Sequence, residues 1–212
     1  MEHRLPKAVV DYLIQAGPEK ETPKAFPENT YFLINTLPDS CIYGKEEAEK
    51  MGIPAVILTS FLEGEARDVG SVLASVAREI QIYGNPVKAP CVLLASGEAA
   101  TKIEDNRTIC GHGGPGQEEV LGFALAAAKI PGACLLSIDS EGTDGTTSAA
   151  GGIADSTSAA AALEKGVDIH GALRGHASFE ALEALGDTVF TGNTGTNLCD
   201  FNVLYIPGNS EV

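Results

Sequence analysis

The chain has no tryptophan and only two methionines, and aromatic residues make up 6% of its 212 positions. It is also short of positive charge, with 14 lysines and arginines against 29 acidic residues, a net of −15. Such a surface repels phosphodiester backbones and anionic lipid, so nucleic acid and membrane surfaces are not expected partners. No apolar run reaches the ~18 residues of a membrane span, and the first fifteen residues carry charges throughout, unlike a signal peptide. The five cysteines, at 41, 91, 110, 134 and 199, form no CxxC pair and no zinc spacing. An odd, scattered set fits the reduced cytoplasm. Cys91 and Cys134 lie in apolar runs, where a thiol serves as a small buried hydrophobe.

What is present is a globular composition, 44% apolar and 20% charged, with 24 glycines. A chain of this length buries roughly 70% of its extended surface and needs no disulfide or structural metal to fold. Apolar spacing predicts helices over 5–16, 39–51, 63–83 and 117–130, and two or three short ones between 156 and 185. Buried strands are expected at 31–35 (YFLIN), 55–58 (AVIL), 91–94 (CVLL), 133–138 (ACLLSI) and 201–206 (FNVLYI). Strand, helix and strand over 31–58 read as a βαβ unit. The expected fold is α/β, a three-layer αβα arrangement around a mixed, mostly parallel sheet. Residues 1–88 form a lead-in with flanking helices and 89–212 a second α/β region, together one compact domain.

The texture changes after residue 96. Residues 97–152 hold 11 of the 24 glycines, and a hairpin is expected around Glu104–Asn106. GHGGPG at 111–116 matches G-x-G-x-x-G ahead of a helix, with Asp139 placed 23 residues on for a ribose hydroxyl. That pattern reads either as a dinucleotide site or as a glycine turn between a hairpin and a buried helix. Against the first, the preceding Arg107–Cys110 is short and half polar, and Glu118 and Glu119 would oppose a pyrophosphate at the helix start. Ser140-Glu141-Gly142-Thr143-Asp144-Gly145 follows a buried strand, where ligands of open α/β sheets collect. Its two carboxylates suit Mg²⁺, which takes one or two carboxylates plus phosphate oxygens and water; equally, it is a solvated turn. Asn193-Thr194-Gly195-Thr196-Asn197 offers hydroxyls, an amide and glycine-freed N–H groups to a phosphate or hydroxy acid, or else a loop capped by its own side chains. Glu98 ends the Cys91–Leu94 strand as a paired, solvated or catalytic carboxylate. The histidines at 3, 112, 170 and 176 are dispersed, and His112 and His176 read as surface or capping residues.

Taken in order, LLASGE, GGPGQE, LLS followed by EGTDGTTSAAGGIAD, and EALGDTVFTGNTGTNLCDFNVLYI resemble the C-terminal half of glycerate 2-kinases of the MOFRL family, often labelled hydroxypyruvate reductases. LPKAVVDYL, ETPK and LEGEARDVGSVLASVAREI resemble the stretch that precedes it there. The resemblance implies two α/β domains with a site in the cleft between them, and phosphorylation of D-glycerate to 2-phosphoglycerate with ATP and Mg²⁺. It implies Glu98 and Asp144 as catalytic acids and Glu141 and Asp144 as metal ligands. Gly97, Gly113, Gly114, Thr194, Gly195, Thr196, Asn197 and Asp200 become the phosphate- and nucleotide-binding positions. The family's GGRNQE reads GGPGQE here, so Pro115 stands at its arginine position, and the half that supplies a catalytic lysine has no counterpart in the chain. The implied partners are a hydroxy acid, a missing N-terminal half or subunit, and a second copy of the chain. A nicotinamide-dependent hydroxypyruvate reductase and a non-catalytic binding or regulatory module are the alternatives.

Overall fold

The computed structural model describes residues 5–17, 20–103 and 109–208. The chain divides into two units, Met1–Ile34 and Asn35–Val212. The hairpin expected around Glu104–Asn106, and Arg107 beside it, lie outside the described residues.

In the first unit α1, Lys7–Ala16, begins after Pro6 and stops at Gly17, whose φ of 56° no side-chain-bearing residue adopts cheaply. None of its residues is buried. The strand expected at 31–35 does not form. The segment belongs to no helix or strand, and Tyr31, Phe32, Leu33 and Ile34 are 73–89% exposed. An apolar run becomes a buried strand only where a sheet edge and a covering layer receive it.

The second unit holds α2 (Leu37–Lys50), β1 (Ala55–Glu65), α3 (Ala66–Tyr83), β2 (Cys91–Ala100), α4 (Pro115–Ala127), β3 (Cys134–Asp139), β4 (Gly151–Asp155), α5 (Ser158–Lys165), α6 (Ile169–Gly175), α7 (Ser178–Leu185), β5 (Thr188–Val189) and β6 (Asp200–Ile206). A capping box starts α2. Asp39 accepts from the Thr36 amide at 2.6 Å, and Pro38 sits in the first turn, where no donor is needed. The boundary expected after residue 88 falls inside this unit, between α3 and β2.

The six strands run in the order β1-β2-β6-β3-β4-β5. The α/β class and the mixed sheet are as expected, but the parallel majority is not. Among the described residues only β1 and β2 pair parallel; the other four pairs are antiparallel. Strand–helix alternation puts β1, β2 and β3 in one direction. The last strand then inserts between β2 and β3 and replaces one would-be parallel contact with two antiparallel ones. The βαβ unit is therefore β1-α3-β2, not the expected pair around α2.

Helices cover both faces. On one, Cys41 and Ala48 of α2 meet Ala55, Val92 and Leu94. On the other, α3, α4 and α7 bury Leu73, Ile80, Leu121, Phe123 and Leu182 against Leu93, Leu135, Leu204 and Ile206. Each fully buried large side chain stabilises by about 1.5–3 kcal/mol relative to exposure. Helix α4 is buried almost all round, in keeping with its apolar sequence. It touches α3 backbone to backbone: a Cβ on Gly122 would stand 2.1 Å from the Arg67 carbonyl oxygen. Among the described residues no helix is long and apolar enough to cross a membrane.

Candidate functional site

β2 and β3 end at the edge of the sheet where β6 begins. The register aligns Gly97 with Asp200 and Asp200 with Asp139 across three adjacent strands. The Ala150 amide bonds the Val189 carbonyl at 2.8 Å, which brings the 140–150 and 190–199 loops to the same end. The three glycine-bearing segments after Leu94, Ile138 and Val189 thus gather at one end of the sheet, as ligand sites of α/β sheets do. Ser96-Gly97-Glu98 is not a loop but the last part of β2, which runs to Ala100. Gly97 is there for steric reasons: a Cβ would lie 2.2 Å from the Leu62 carbonyl oxygen, beside the irregularity in β1 between Thr59 and Leu62.

Asp144 is 1% exposed and caps α4. Its Oδ2 accepts from the Gln117 amide and from Gln117 Nε2, each at 2.9 Å, and its Oδ1 from the Gly116 amide at 3.3 Å. Burial holds its carboxyl above the ordinary range, while the Gln117 and Gly116 bonds pull the other way. Gly114 makes room for it, since a Cβ there would fall 2.2 Å from Asp144 Oδ1; Gly113 likewise clears Ser178. The α4 N-terminus, which the G-x-G-x-x-G reading reserved for a pyrophosphate, is therefore already occupied by the protein's own carboxylate. Residues 109–114 are not a strand either.

Glu141 is tied to the loop opposite. Its Oε1 accepts from Thr143 Oγ1 and its Oε2 from Asn197 Nδ2, both at 3.0 Å. Thr194 donates its amide to the Glu141 carbonyl at 3.2 Å and its hydroxyl to the Ser140 carbonyl. The Asn193 side chain accepts from the Gly195 amide at 2.8 Å. These bonds join the Glu141 and Thr194–Asn197 loops, and residues 191–197 stay exposed. The Asp200 Oδ2 accepts from the Ala99 amide at 2.9 Å and so fixes the end of β2 next to Glu98.

The acids at this end repel one another. Burial, together with the charges of Asp144, Asp139 and Glu98, pushes Asp200 up to about 7. Asp139 is raised by burial and by Glu141 and Glu98. Glu119 is pushed up to about 8 by burial and then by Asp200 and Asp144, against the pull of the nearby Ser137 hydroxyl. The thiol of Cys199, at φ 57° and 4.0 Å from Glu98 Oε2, is likewise raised by burial and by the neighbouring carboxylates. Among the described residues no three His, Cys, Asp or Glu side chains converge to hold a metal ion.

The structure brings Glu98, Glu141, Asp144, Asp200 and the Thr194–Asn197 loop to one end of the sheet. Two residues carry more than their sequence reading allowed. Asp139, read only as a ribose acid, stands in the carboxylate row; the signal was its place as the last residue of a buried strand. Glu119, read only as a charge opposing a pyrophosphate, is a buried acid, and the apolar residues on every side of α4 were the signal for that.

Comparison with known proteins follows the same residues. The MOFRL family profile matches residues 91–200, a span that contains every acid named above. The chain is 40% identical over 183 residues to a glycerate 2-kinase of Pyrococcus horikoshii, covering 86% of this chain and 41% of that protein. It is 37% identical over 155 residues to a putative hydroxypyruvate reductase of Agrobacterium vitis, covering 73% and 40%. The crystal structure of a glycerate kinase from Thermotoga maritima superposes with a TM-score of 0.81 at 34% identity, over 95% of this chain and 47% of that one. The chain spans less than half the length of the relatives it matches.

Proposed function

The chain belongs to the MOFRL family, and from that premise we propose that it is the C-terminal portion of a glycerate 2-kinase, which transfers a phosphoryl group from ATP to the 2-hydroxyl of D-glycerate and needs a partner half to do so. One observation carries the reading. Glu98, Asp139, Glu141, Asp200 and the Thr194–Asn197 loop meet at one end of the sheet, all within the matched span.

Phosphoryl transfer is mostly positioning and neutralisation of charge. Glu98, Asp139 and Glu141 are hard oxygen donors whose mutual repulsion, read in the raised Asp139, a cation would relieve. The three do not converge as a ready-made ligand set, but one or two of them suit Mg²⁺, which needs only one or two protein carboxylates beside phosphate oxygens and water. When bound, the metal would neutralise charge on the phosphates. Glu98 is the exposed acid of the row and the one we assign to the reacting groups. Asp144, with both oxygens engaged by α4, positions the Gly113–Gly114 turn. Thr194, Gly195, Thr196 and Asn197 hold substrate or phosphate oxygens, and Asp200 orients β2 through Ala99. The five cysteines, all unpaired, support a cytoplasmic setting.

The site offers carboxylates, hydroxyls and amides, with proline at position 115, so the cation on the moving phosphoryl group comes from the partner half. The test is a coupled ATP/D-glycerate assay of the purified chain, alone and mixed with the part of the Pyrococcus relative that this chain does not match. Little turnover alone, turnover on mixing, and loss of at least about 100-fold in Glu98→Gln are expected. No turnover in the mixture would favour the non-catalytic module, and NADH-dependent reduction of hydroxypyruvate would favour the reductase.

A further inference from the structure

The first unit, Met1–Ile34, is 34 of the 212 residues. Among the described residues it nevertheless carries ten of the 23 large apolar side chains that stand exposed. Single exposed apolar residues are ordinary, but so many in so short a stretch mark a surface that another surface covers. They fall into two main groups. Val9, Tyr12 and Leu13 share one stripe of α1, with Leu5 just ahead of the helix. Lys7 and Asp11, 3.8 Å apart, hold the polar side. Tyr12 has the Lys20 ammonium 5.4 Å from its ring centre yet stays exposed. No residue of α1 is buried. A helix of ten residues is marginal in water by itself, so the stripe that would fix it awaits a partner.

Tyr31–Ile34 is the second group, four consecutive large apolar side chains. In a strand, side chains alternate, which sends Tyr31 and Leu33 to one face and Phe32 and Ile34 to the other. Unbroken apolar runs of this kind belong to strands whose sheet is covered by helices on both faces. The segment therefore asks for two things at once: a sheet edge for its N–H and C=O groups, and an apolar layer on each side. Lipid does not supply these. The unit holds four basic and five acidic side chains, whereas a helix that lies on a membrane is rich in lysine and arginine on its polar face. The Thermotoga kinase structure superposes over 95% of this chain, which takes in most of the first unit, and more than half of that protein lies outside the match.

We propose that the first unit is a docking arm for the part of the relatives that this chain does not match. Tyr31–Ile34 adds a strand to the edge of a helix-covered sheet in that part, and the α1 stripe packs on the same partner. The inference rests on the partner-half reading of the function and names the surface that joins the halves. In strand addition the main-chain hydrogen bonds give affinity, and pockets for alternate side chains give specificity.

Amide hydrogen exchange on the free chain comes first. The amides of 31–34 should exchange within about tenfold of the rate of an unstructured peptide, while those of β2 and β6 stay protected. Protection of 31–34 in the free chain overturns the proposal, and sedimentation then assigns the cover to a second copy, if the chain is a dimer, or to the chain itself, if it is a monomer. The second measurement uses a fusion that places the unmatched part of the Pyrococcus relative ahead of this intact chain. There the same amides should slow by at least about 100-fold. Phe32→Asp and Leu33→Asp probe the two faces of the strand. Neither side chain is buried in the free chain, so its melting midpoint should move by no more than about 1 °C in either variant; in the fusion each should lower the midpoint by at least about 5 °C and restore fast exchange. If that fusion does not fold, the same two variants are read by co-purification with the unmatched part of the Thermotoga kinase, where each should cut recovery at least about tenfold, and unchanged recovery overturns the arm. Amides at 31–34 that stay as fast in the fusion as in the free chain overturn it too, as does sensitivity at only one of the two positions, because the strand is then not covered on both faces. Turnover by the fusion with 31–34 unprotected removes the arm and leaves the kinase reading; protection without turnover leaves the arm and removes the kinase reading.

Discussion

Two glycine-rich loops that read alike as sequence differ in the folded chain. Around Gly113, Gly114 and Gly145 the backbone is packed solid. A Cβ on Gly145 would lie 2.1 Å from the Gly113 carbonyl oxygen, and the concavity at the start of α4 is filled by the Asp144 carboxylate. In the Thr191–Asn197 loop, a Cβ on Gly192 or Gly195 would meet nothing within 4 Å. Its few bonds tie it to itself and to the Ser140–Glu141 turn. The first loop has met its anion requirement from inside the molecule. The second is exposed along its length, although its Thr194 hydroxyl and Gly195 amide are bonded to Ser140 and Asn193. Glycine content marks both places where backbones must approach closely and places where a ligand must, and only the neighbours tell the two apart.

That contrast can be broken most forcefully at Gly145. Alanine there meets the Gly113 carbonyl and must also hold φ 60°. Overpacking costs ~1–3 kcal/mol and the left-handed backbone ~1–2 more. A loss of roughly 3 kcal/mol or more is expected in urea unfolding, and a loss under about 0.5 kcal/mol would mean that the loop is not packed as described. Asp144→Ala comes next. It removes three acceptor contacts from the first turn of a buried helix. The expected cost is about 2–3 kcal/mol, measured the same way, together with faster amide exchange at Gln117.

The sequence made the order of elements legible because periodicity survives in single segments: the long stripe of α3 and the all-round apolar α4 are local facts. What it hid was set by distant pairing. β2 was read to Leu94 but continues to Ala100, because β1 and β6 flank a stretch whose own residues look like a turn. The short β4 and β5 sit in Gly151–Asp155 and Thr188–Val189, too glycine-rich or too brief to show alternation. Tyr31–Asn35 has the composition of a strand without a described partner. At the site, the carboxylates were legible as strand-end acids, but their division of labour was not. Nothing in SEGTDG says that Asp144 turns inward to α4 while Glu141 turns to Asn197. The pairing of His176 with Glu118 joins residues 58 positions apart and left no local trace.

The acids beside these loops make the fold sensitive to pH. Asp200 at about 7 and Glu119 at about 8 both lie above their ordinary carboxylate values. For a raised carboxyl the unfolded chain releases its proton first, so stability is greatest below the ordinary value and falls as pH rises through the folded one. The chain should therefore be more stable at pH 6 than at pH 8, by roughly 3–4 kcal/mol, as thermal melts in non-coordinating buffer would register. Asp200→Asn should flatten part of that slope. A stability that instead rises from pH 6 to 8 would mean that the carboxylate row is not buried as described.

The smallest effect belongs to Gly195→Ala, and its smallness is the point. The residue holds φ 77°, so alanine bears a left-handed cost of about 1 kcal/mol. It bears no steric cost, since no atom lies within 4 Å of the added methyl group. The only bond at stake is the Gly195 amide to Asn193, which a substitution at the Cα does not remove. Urea unfolding should show a loss near 1 kcal/mol or less, well under that of Gly145→Ala. In the assay with the partner half the order should reverse in kind: Gly195→Ala leaves the fold intact but crowds the space offered to substrate, so turnover falls while stability barely moves. If Gly195→Ala costs as much stability as Gly145→Ala, the Thr191–Asn197 loop is packed like its counterpart, and the site must be sought elsewhere on this end of the sheet.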